Sequence, residues 1–408
     1  MRLLTQHAHN VYRPGSRPLQ RMLGTTEPNG LSAQKQGWTG LQQHEGADFL
    51  AWLYVSRRLS QKFEALAAAI WSLLTDTVRT PEDALAVWKA VPAVLRCCNS
   101  QRTYQLPGAI PAYAWIHLLD RYIRTWTALE RLVEKRCLPM GKHGVRALDV
   151  GTGPGPSAFA IDDFYTAVSE FSELRCRPKW RQPPEVTCVE LDRNANHFRH
   201  LLAEILFEKN QRKSMSVLSM CSALPDFGEL NPTRERRQYM QSLRWQEAVY
   251  FDEDSREWVS QRVSCSEEAS HMAQSLHRYR LVVFSNFLTT ISSVKHFESN
   301  LVEMLQDAAA GSVVLLLGGR GGHYCDVYEY VDHIAKGAGF QLKLREETVS
   351  CKGHELADRV YEEGRKFYDF LQTLSRNREQ ATKTVRIHFE KDHRARFSSS
   401  EVRAYRKY

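Results

Sequence analysis

Short, mostly apolar runs recur beyond the first third of the chain, and each ends abruptly in polar residues or glycines. The four clearest are Ala147–Val150, Val186–Val189, Leu281–Phe284 and Val313–Leu317. Apolarity without alternation is typical of strands buried on both faces, as in a parallel sheet covered by helices. Between the runs lie segments with apolar residues at steps of three and four, which predict helices. The pattern therefore predicts an α/β fold.

Three further strands are marked more weakly. They are predicted at Met215–Met220, Phe340–Leu344 and Thr384–Phe389. The last of them alternates apolar and polar residues, which favours a place near a sheet edge. With the four clear runs, these segments predict a sheet of seven strands.

Two regions lie outside this predicted sheet. Residues 1–140 are predicted as a basic arm and a helical cap, with helices at Ala47–Leu73 and Ala112–Val133. The cap is expected to lie over a ligand cleft, next to a sheet domain at residues 141–408. The second region, at about residues 225–278, is longer than an ordinary connection, so we expect a lid or an added subdomain.

The candidate chemistry begins at the end of the first apolar run. Residues 149–155 read Asp-Val-Gly-Thr-Gly-Pro-Gly. Glycines at alternate positions permit a turn with no Cβ in the way, so a ligand can approach the main chain closely. A helix predicted from about Ser157 would aim its free N–H groups at that ligand. The spacing differs from the Gly-x-Gly-x-x-Gly of dinucleotide-binding folds.

A second carboxylate follows the second apolar run. Residues 186–192 read Val-Thr-Cys-Val-Glu-Leu-Asp, which places Glu190 at the end of that strand. Nucleoside-binding sheets use a carboxylate in this place to accept hydrogen bonds from both ribose hydroxyls. The alternative is a solvated carboxylate at a strand end. Asp192 is either a second polar contact or the N-cap of a helix predicted at Arg193–Phe207.

Together, these features resemble class I S-adenosylmethionine-dependent methyltransferases, whose motif I is an acidic residue, a small residue and then Gly-x-Gly-x-Gly. The resemblance implies a Rossmann-like, seven-stranded methyltransferase sheet that ends in an antiparallel strand pair. It implies S-adenosyl-L-methionine as the cofactor, with an acidic residue at the methionine end, a carboxylate on the ribose and an apolar residue on the adenine. The cofactor-binding residues implied are Asp149, Gly151, Thr152, Gly153, Pro154, Gly155, Glu190 and Leu191.

The loop after the third clear run would face the methyl group of the cofactor in such an enzyme. Ser285 and Asn286 are therefore the catalytic candidates, for orienting the acceptor or the methionine moiety. The loop lacks the two prolines typical of enzymes that methylate exocyclic amines of bases, which disfavours such a target. Phe287 either stacks on a planar substrate or packs in the core. His323 is a candidate base by its position alone.

Composition narrows the choice of partners. The chain of 408 residues has 55 Lys and Arg against 47 Asp and Glu, a net charge of +8 that favours RNA as the acceptor. A small-molecule acceptor and a non-catalytic, cofactor-binding scaffold protein remain as alternatives. The 9 cysteines form no Cys-x-x-Cys pair, which argues for a reducing compartment and against a metal. No apolar run is long enough to span a bilayer. The cysteine pattern and the lack of a secretory apolar segment at the start make the cytoplasm the expected location.

Overall fold

The apolar runs form the middle of one sheet in the computed structural model. The structure describes residues 43–95, 104–140, 145–175, 185–208, 217–221, 245–252, 257–264, 279–349, 354–375 and 400–408. Within these ranges the strands are β1 Arg146–Val150, β2 Glu185–Glu190, β3 Val217–Cys221, β4 Trp245–Asp252, β5 Glu257–Ser264, β6 Leu281–Ser285, β7 Val313–Gly319, β8 Phe340–Val349 and β9 Ser400–Lys407.

Seven of these strands make the main sheet, in the order β3-β2-β1-β6-β7-β9-β8. Strands β3, β2, β1, β6 and β7 pair in parallel, whereas β9 is antiparallel to both of its neighbours. Strands β4 and β5 pair separately as an antiparallel hairpin within the predicted insertion. The sheet therefore confirms the predicted α/β class and its antiparallel end.

Helices cover both faces of the sheet, which explains why the central strands are apolar throughout. Odd-numbered residues of β6 and β7 join one buried cluster and even-numbered residues join another. The first helices are α1 Gln43–Val55, α2 Arg58–Thr77, α3 Pro81–Leu95, α4 Ala109–Tyr113, a π-helical turn at Ala114–Leu118 and α5 Leu119–Glu134. Those after β1 are α6 Pro156–Leu174, α7 Arg193–Glu208, α8 Ile291–Asp307, α9 His323–Gly337 and α10 Ala357–Leu374.

The helices before β1 differ in detail from the sequence expectation. The helix predicted over Ala47–Leu73 is two helices, because Arg57 adopts a left-handed conformation with φ 53° and interrupts it. The helix predicted over Ala112–Val133 contains the π-helical turn. Apolar side chains of these helices share one buried cluster with α6, α7 and one face of the sheet. The domain boundary near residue 140 stays a prediction.

The strand that lies between β7 and β8 is Ser400–Lys407, a segment whose arginines and lysine make it look like a basic surface cluster in the sequence. Its apolar side chains are nevertheless buried in the core. Arg403 is also buried, and its Nε donates a hydrogen bond to Oε1 of Glu401 at 2.6 Å. Because the buried charges neutralise each other, the strand does not need an apolar sequence. The strand predicted at Thr384–Phe389 lies outside the described residues.

Two further findings concern the described ranges only. None of their helices combines the length and apolarity needed to cross a bilayer. None of their histidine, cysteine, aspartate and glutamate side chains form a group of three or more that could hold a metal ion.

Candidate functional site

The glycine loop is a turn between β1 and α6, as its sequence predicts. Gly151, Gly153 and Gly155 all have positive φ, at 69°, 57° and 98°, a region that residues with a Cβ rarely adopt. The N–H groups of Gly151 and Thr152 both donate to the carbonyl of Val189, over 2.9 and 3.1 Å. These bonds hold the loop against the carboxyl end of β2.

Two of the three loop glycines are required by packing within the protein. A Cβ on Gly151 would overlap the ring of Phe287. A Cβ on Gly155 would lie 2.9 Å from the side chain of Arg199 on α7. These positions would need glycine even if no ligand approached the loop.

Gly153 differs from Gly151 and Gly155 because a Cβ at this position would not collide with a described side chain. Among the described residues, a Cβ built there would have one heavy atom within 4 Å, the hydroxyl oxygen of Tyr113, at 3.9 Å. Gly153 is itself buried, but the middle of the loop leaves room for a small group directly against the main chain.

Glu190 lies at the end of β2, where the sequence places it, and its carboxylate joins the glycine loop to the end of that strand. One oxygen, Oε2, accepts a hydrogen bond from Gly153 N at 2.6 Å. The other, Oε1, accepts from the N–H groups of Leu191 and Asp192, at 2.8 and 2.9 Å. The residue is 8% exposed, so it is not the solvated carboxylate of the alternative interpretation. Burial raises its pKa, and the three backbone donors act in the opposite direction.

Asp149 is the second acidic group of the site. It is 1% exposed, and within the described part of the chain neither carboxylate oxygen accepts a hydrogen bond of good geometry, although the Thr152 hydroxyl and the Ala158 N–H lie close enough to lower its pKa. Burial raises the pKa of Asp149 to about 7, although the positive charge of Arg199 acts to lower it. A buried carboxylate with weakly placed donors is costly, and a cationic or hydrogen-bonding ligand group would offset that cost.

The remaining cofactor candidates lie around these two acids. The hydroxyl of Thr152 donates to the carbonyl of Asp149 over 2.8 Å and so shapes the turn. Pro154 is buried within the loop, whereas Leu191 is half-buried beside Glu190. The next residue, Asp192, accepts a hydrogen bond from Ala195 N at 2.8 Å and is therefore an N-cap of α7.

Arg199 is a site residue that the sequence analysis missed. It projects from α7 and is 1% exposed. One guanidinium nitrogen donates to the carbonyl of Gly153 at 3.3 Å and another to Oδ1 of Asn196 at 2.5 Å. Asn196 in turn donates to the carbonyl of Glu190 at 3.1 Å. The signal in the sequence is an arginine and an asparagine at core positions of an amphipathic helix.

The catalytic candidates occupy the loop after β6, on the same edge of the sheet. Ser285 and Asn286 are both half-buried, and Asn286 has φ 54°, a conformation that asparagine tolerates better than most residues. Its N–H donates to the carbonyl of Leu317 at 2.6 Å. The next residue, Phe287, packs on Gly151 and edge-on against Phe297, with ring centroids 5.8 Å apart. This packing supports the core interpretation of Phe287.

His323 is exposed at the start of α9. Its ring stacks on that of Tyr324, with centroids 4.6 Å apart. Its role as a base stays a prediction from position.

The sheet has the strand order β3-β2-β1-β6-β7-β9-β8, with β9 antiparallel to its neighbours. At its edge, the glycine loop after β1 is hydrogen-bonded to the carboxylate of Glu190 at the end of β2. The chain has the class I methyltransferase fold. No protein-family model matches it, and no curated protein matches its sequence.

Several solved methyltransferase structures are similar to this chain. Two are of phosphoethanolamine N-methyltransferase 2 from Haemonchus contortus. The complex with phosphomonomethylethanolamine and S-adenosylhomocysteine has 18% identity and TM-score 0.38, over 76% of this chain and 58% of that one. The complex with S-adenosyl-L-methionine has 17% identity and TM-score 0.40, over 78% and 60%. An S-adenosylmethionine-dependent methyltransferase from Clostridium acetobutylicum has 8% identity and TM-score 0.33, over 70% and 92%.

The chain spans less than two thirds of the two Haemonchus chains that it matches, at 58% and 60%. With TM-scores of 0.40 or below, these similarities do not carry an acceptor from those proteins to this one.

Proposed function

We propose that the chain binds S-adenosyl-L-methionine at the glycine loop and transfers its methyl group to an acceptor. The observation that carries the proposal is the room for a small group at Gly153, in a loop that begins at the buried Asp149 and is hydrogen-bonded to the buried Glu190. An ionised carboxylate offers about four acceptor positions, and Glu190 uses three of them on backbone N–H groups. It therefore keeps capacity for a ribose hydroxyl.

The charges of the site suit the two ends of this cofactor. The ammonium group of its methionine moiety would bind the buried carboxylate of Asp149, directly or through water. Leu191 would pack on the adenine. When bound, the cofactor supplies an activated methyl group, so the residues of the chain need only bind, orient and exclude water. Ser285 and Asn286 would orient the acceptor at the neighbouring strand end.

Calorimetric titration of the purified chain is the direct test of the cofactor. We expect micromolar binding of S-adenosylmethionine and S-adenosylhomocysteine, and no binding of NAD, because the loop lacks the dinucleotide glycine spacing. If neither adenosyl ligand binds, the chain keeps the fold without the proposed activity. Binding without methyl transfer to any RNA or small molecule would favour the scaffold alternative.

Gly153→Ala tests whether a ligand lies against the glycine loop, because its effect on ligand affinity can be measured apart from its effect on stability. A Cβ fits there in the free protein but would enter the space of a ligand, so we expect an affinity loss of about tenfold or more. Gly339→Ala is the matched control, because Gly339 has φ 83° and open surroundings at the opposite end of the strands. Both variants should lose about 1–2 kcal/mol of stability from the left-handed backbone. Equal ligand affinities of the two variants would contradict this site.

We further propose RNA as the acceptor, on the basis of the net charge of +8. If phosphate contacts dominate, the logarithm of the binding constant should fall linearly as the logarithm of salt concentration rises. An electrophoretic shift of generic RNA between about 50 and 200 mM salt tests this expectation. Absence of a shift at the lowest salt would favour a small-molecule acceptor.

A further inference from the structure

An open cavity of about 460 Å³ lies between the junction of α1 with α2 and the start of α10. Its distance from the glycine loop follows from Arg58, the first residue of α2, whose Nε lies 3.1 Å from a carboxylate oxygen of Glu170 on α6. Helix α6 begins at the glycine loop and rises about 1.5 Å per residue, so Glu170 is about 20 Å along the helix from that loop. The cavity is therefore separate from the proposed cofactor site.

Two arginines line this cavity. Arg57 is exposed, and its side chain forms no hydrogen bond or ion pair with any described residue. Arg359 on α10 is held in place, because its Nη1 donates to Oε1 of Glu64 at 2.7 Å and to the hydroxyl of Ser60 at 3.0 Å. A guanidinium has five donors, so Arg359 keeps donors for a ligand after these bonds. The cavity thus offers donors from two guanidinium groups.

The backbone conformation of Arg57 also indicates a role for its side chain. Its φ of 53° lies in the left-handed region, which glycine adopts freely and arginine only at a steric cost. Glycine would therefore make the same turn between α1 and α2 with less strain. Strained residues of this kind cluster at functional sites.

We propose that this cavity binds a phosphate group of single-stranded RNA, with a neighbouring base stacked on Tyr54. Guanidinium donors match phosphate oxygens, and the starts of α2 and α10, which lack side-chain caps, add the positive ends of two helix dipoles. Tyr54 lines the cavity and is 76% exposed, and an unpaired base stacks on such a ring. This inference rests on the proposed RNA acceptor, and it gives the RNA a contact outside the cofactor site.

The test measures binding of a short, labelled oligouridylate at several salt concentrations. We expect Arg57→Met to weaken this RNA about tenfold and to reduce the slope of log affinity against log salt by about one, because one phosphate contact is lost. The matched control is Arg79→Met, which removes the same charge from an exposed position just beyond the other end of α2. It should have a much smaller effect on both quantities.

Further variants separate RNA binding from folding. Arg57→Gly removes the same donors but relieves the left-handed strain, so it should lose RNA affinity and unfold at a temperature no lower than the wild type. Glu355 also lines the cavity and would repel a phosphate, so Glu355→Gln should raise RNA affinity. Tyr54→Ala should weaken the RNA about fivefold or more without changing the salt slope. Affinity for S-adenosylhomocysteine should stay at the wild-type value in all of these variants.

The outcomes distinguish this inference from the proposed function. Equal RNA affinities of Arg57→Met and Arg79→Met would overturn it. Titration with inorganic phosphate is a separate arm: if Arg57→Met weakens phosphate binding but not RNA binding, the cavity is a site for free phosphate and the inference is wrong. If the wild type binds no RNA at the lowest salt, the proposed RNA acceptor has failed and this inference fails with it, whereas binding of S-adenosylhomocysteine would still support the cofactor site.

Discussion

Glu190→Ala is expected to lower the free energy of unfolding by about 3 kcal/mol and to weaken S-adenosylhomocysteine binding about a hundredfold or more. The substitution leaves the N–H groups of Gly153, Leu191 and Asp192 without their acceptor. Each buried donor that loses its partner costs about 1–3 kcal/mol. The loop would also lose its attachment to Glu190, so the binding surface and the ribose contact would be lost together.

Glu190→Gln separates these two effects. Its amide oxygen can still accept hydrogen bonds, but the amide nitrogen cannot accept from a backbone N–H. We therefore expect a smaller loss of stability and an affinity loss of about tenfold. Urea unfolding and calorimetric titration measure the two quantities separately. Wild-type stability in Glu190→Ala would contradict the role of this carboxylate in holding the loop.

Arg199→Met is expected to lower the free energy of unfolding by about 3–5 kcal/mol. Arg199 is fully buried, bonded to the carbonyl of Gly153 and close enough to Asp149 to affect its ionisation. Removing one member of a buried charged group leaves the other charges uncompensated. Arg199→Lys keeps the charge and should be less destabilising, although it loses the paired donors.

Arg199→Met should also change the pH dependence of cofactor binding. Binding of an ammonium group requires ionised Asp149, so wild-type affinity should rise as pH increases through about 7. In Arg199→Met the positive charge is lost, so the pKa of Asp149 rises further and the midpoint of the affinity change moves to higher pH. Arg199→Lys keeps the charge, so its midpoint should stay near the wild-type value. Titrations with S-adenosylhomocysteine from about pH 6 to 9 measure the midpoint. Coincident midpoints in wild type and Arg199→Met would refute the coupling.

Asp149 also affects stability, with a sign that follows from its raised pKa. Its ordinary pKa of 3.8 is raised to about 7 in the folded state. Its stabilising contribution is therefore complete below about pH 4 and is lost as pH rises through about 7. The unfolding free energy of the wild type minus that of Asp149→Asn should therefore fall as pH rises across this window.

Local patterns along the sequence determined the central strands and the glycine loop of this protein. The runs at Ala147–Val150, Leu281–Phe284 and Val313–Leu317 are apolar because both of their faces are covered, so a short window of sequence identifies them as central strands. The alternate glycines and Glu190 were equally recognisable, since each follows such a strand directly.

Only the tertiary structure decided which distant residues complete the site. Arg199 and Tyr113 reach the glycine loop from helices that are separate from it in sequence. Helical periodicity marks these residues as buried, but it does not show which loop they contact. Strand β9 was hidden for a related reason. Its buried arginine is neutralised by a neighbouring glutamate, and that compensation depends on folded geometry, which hydropathy along the chain does not record.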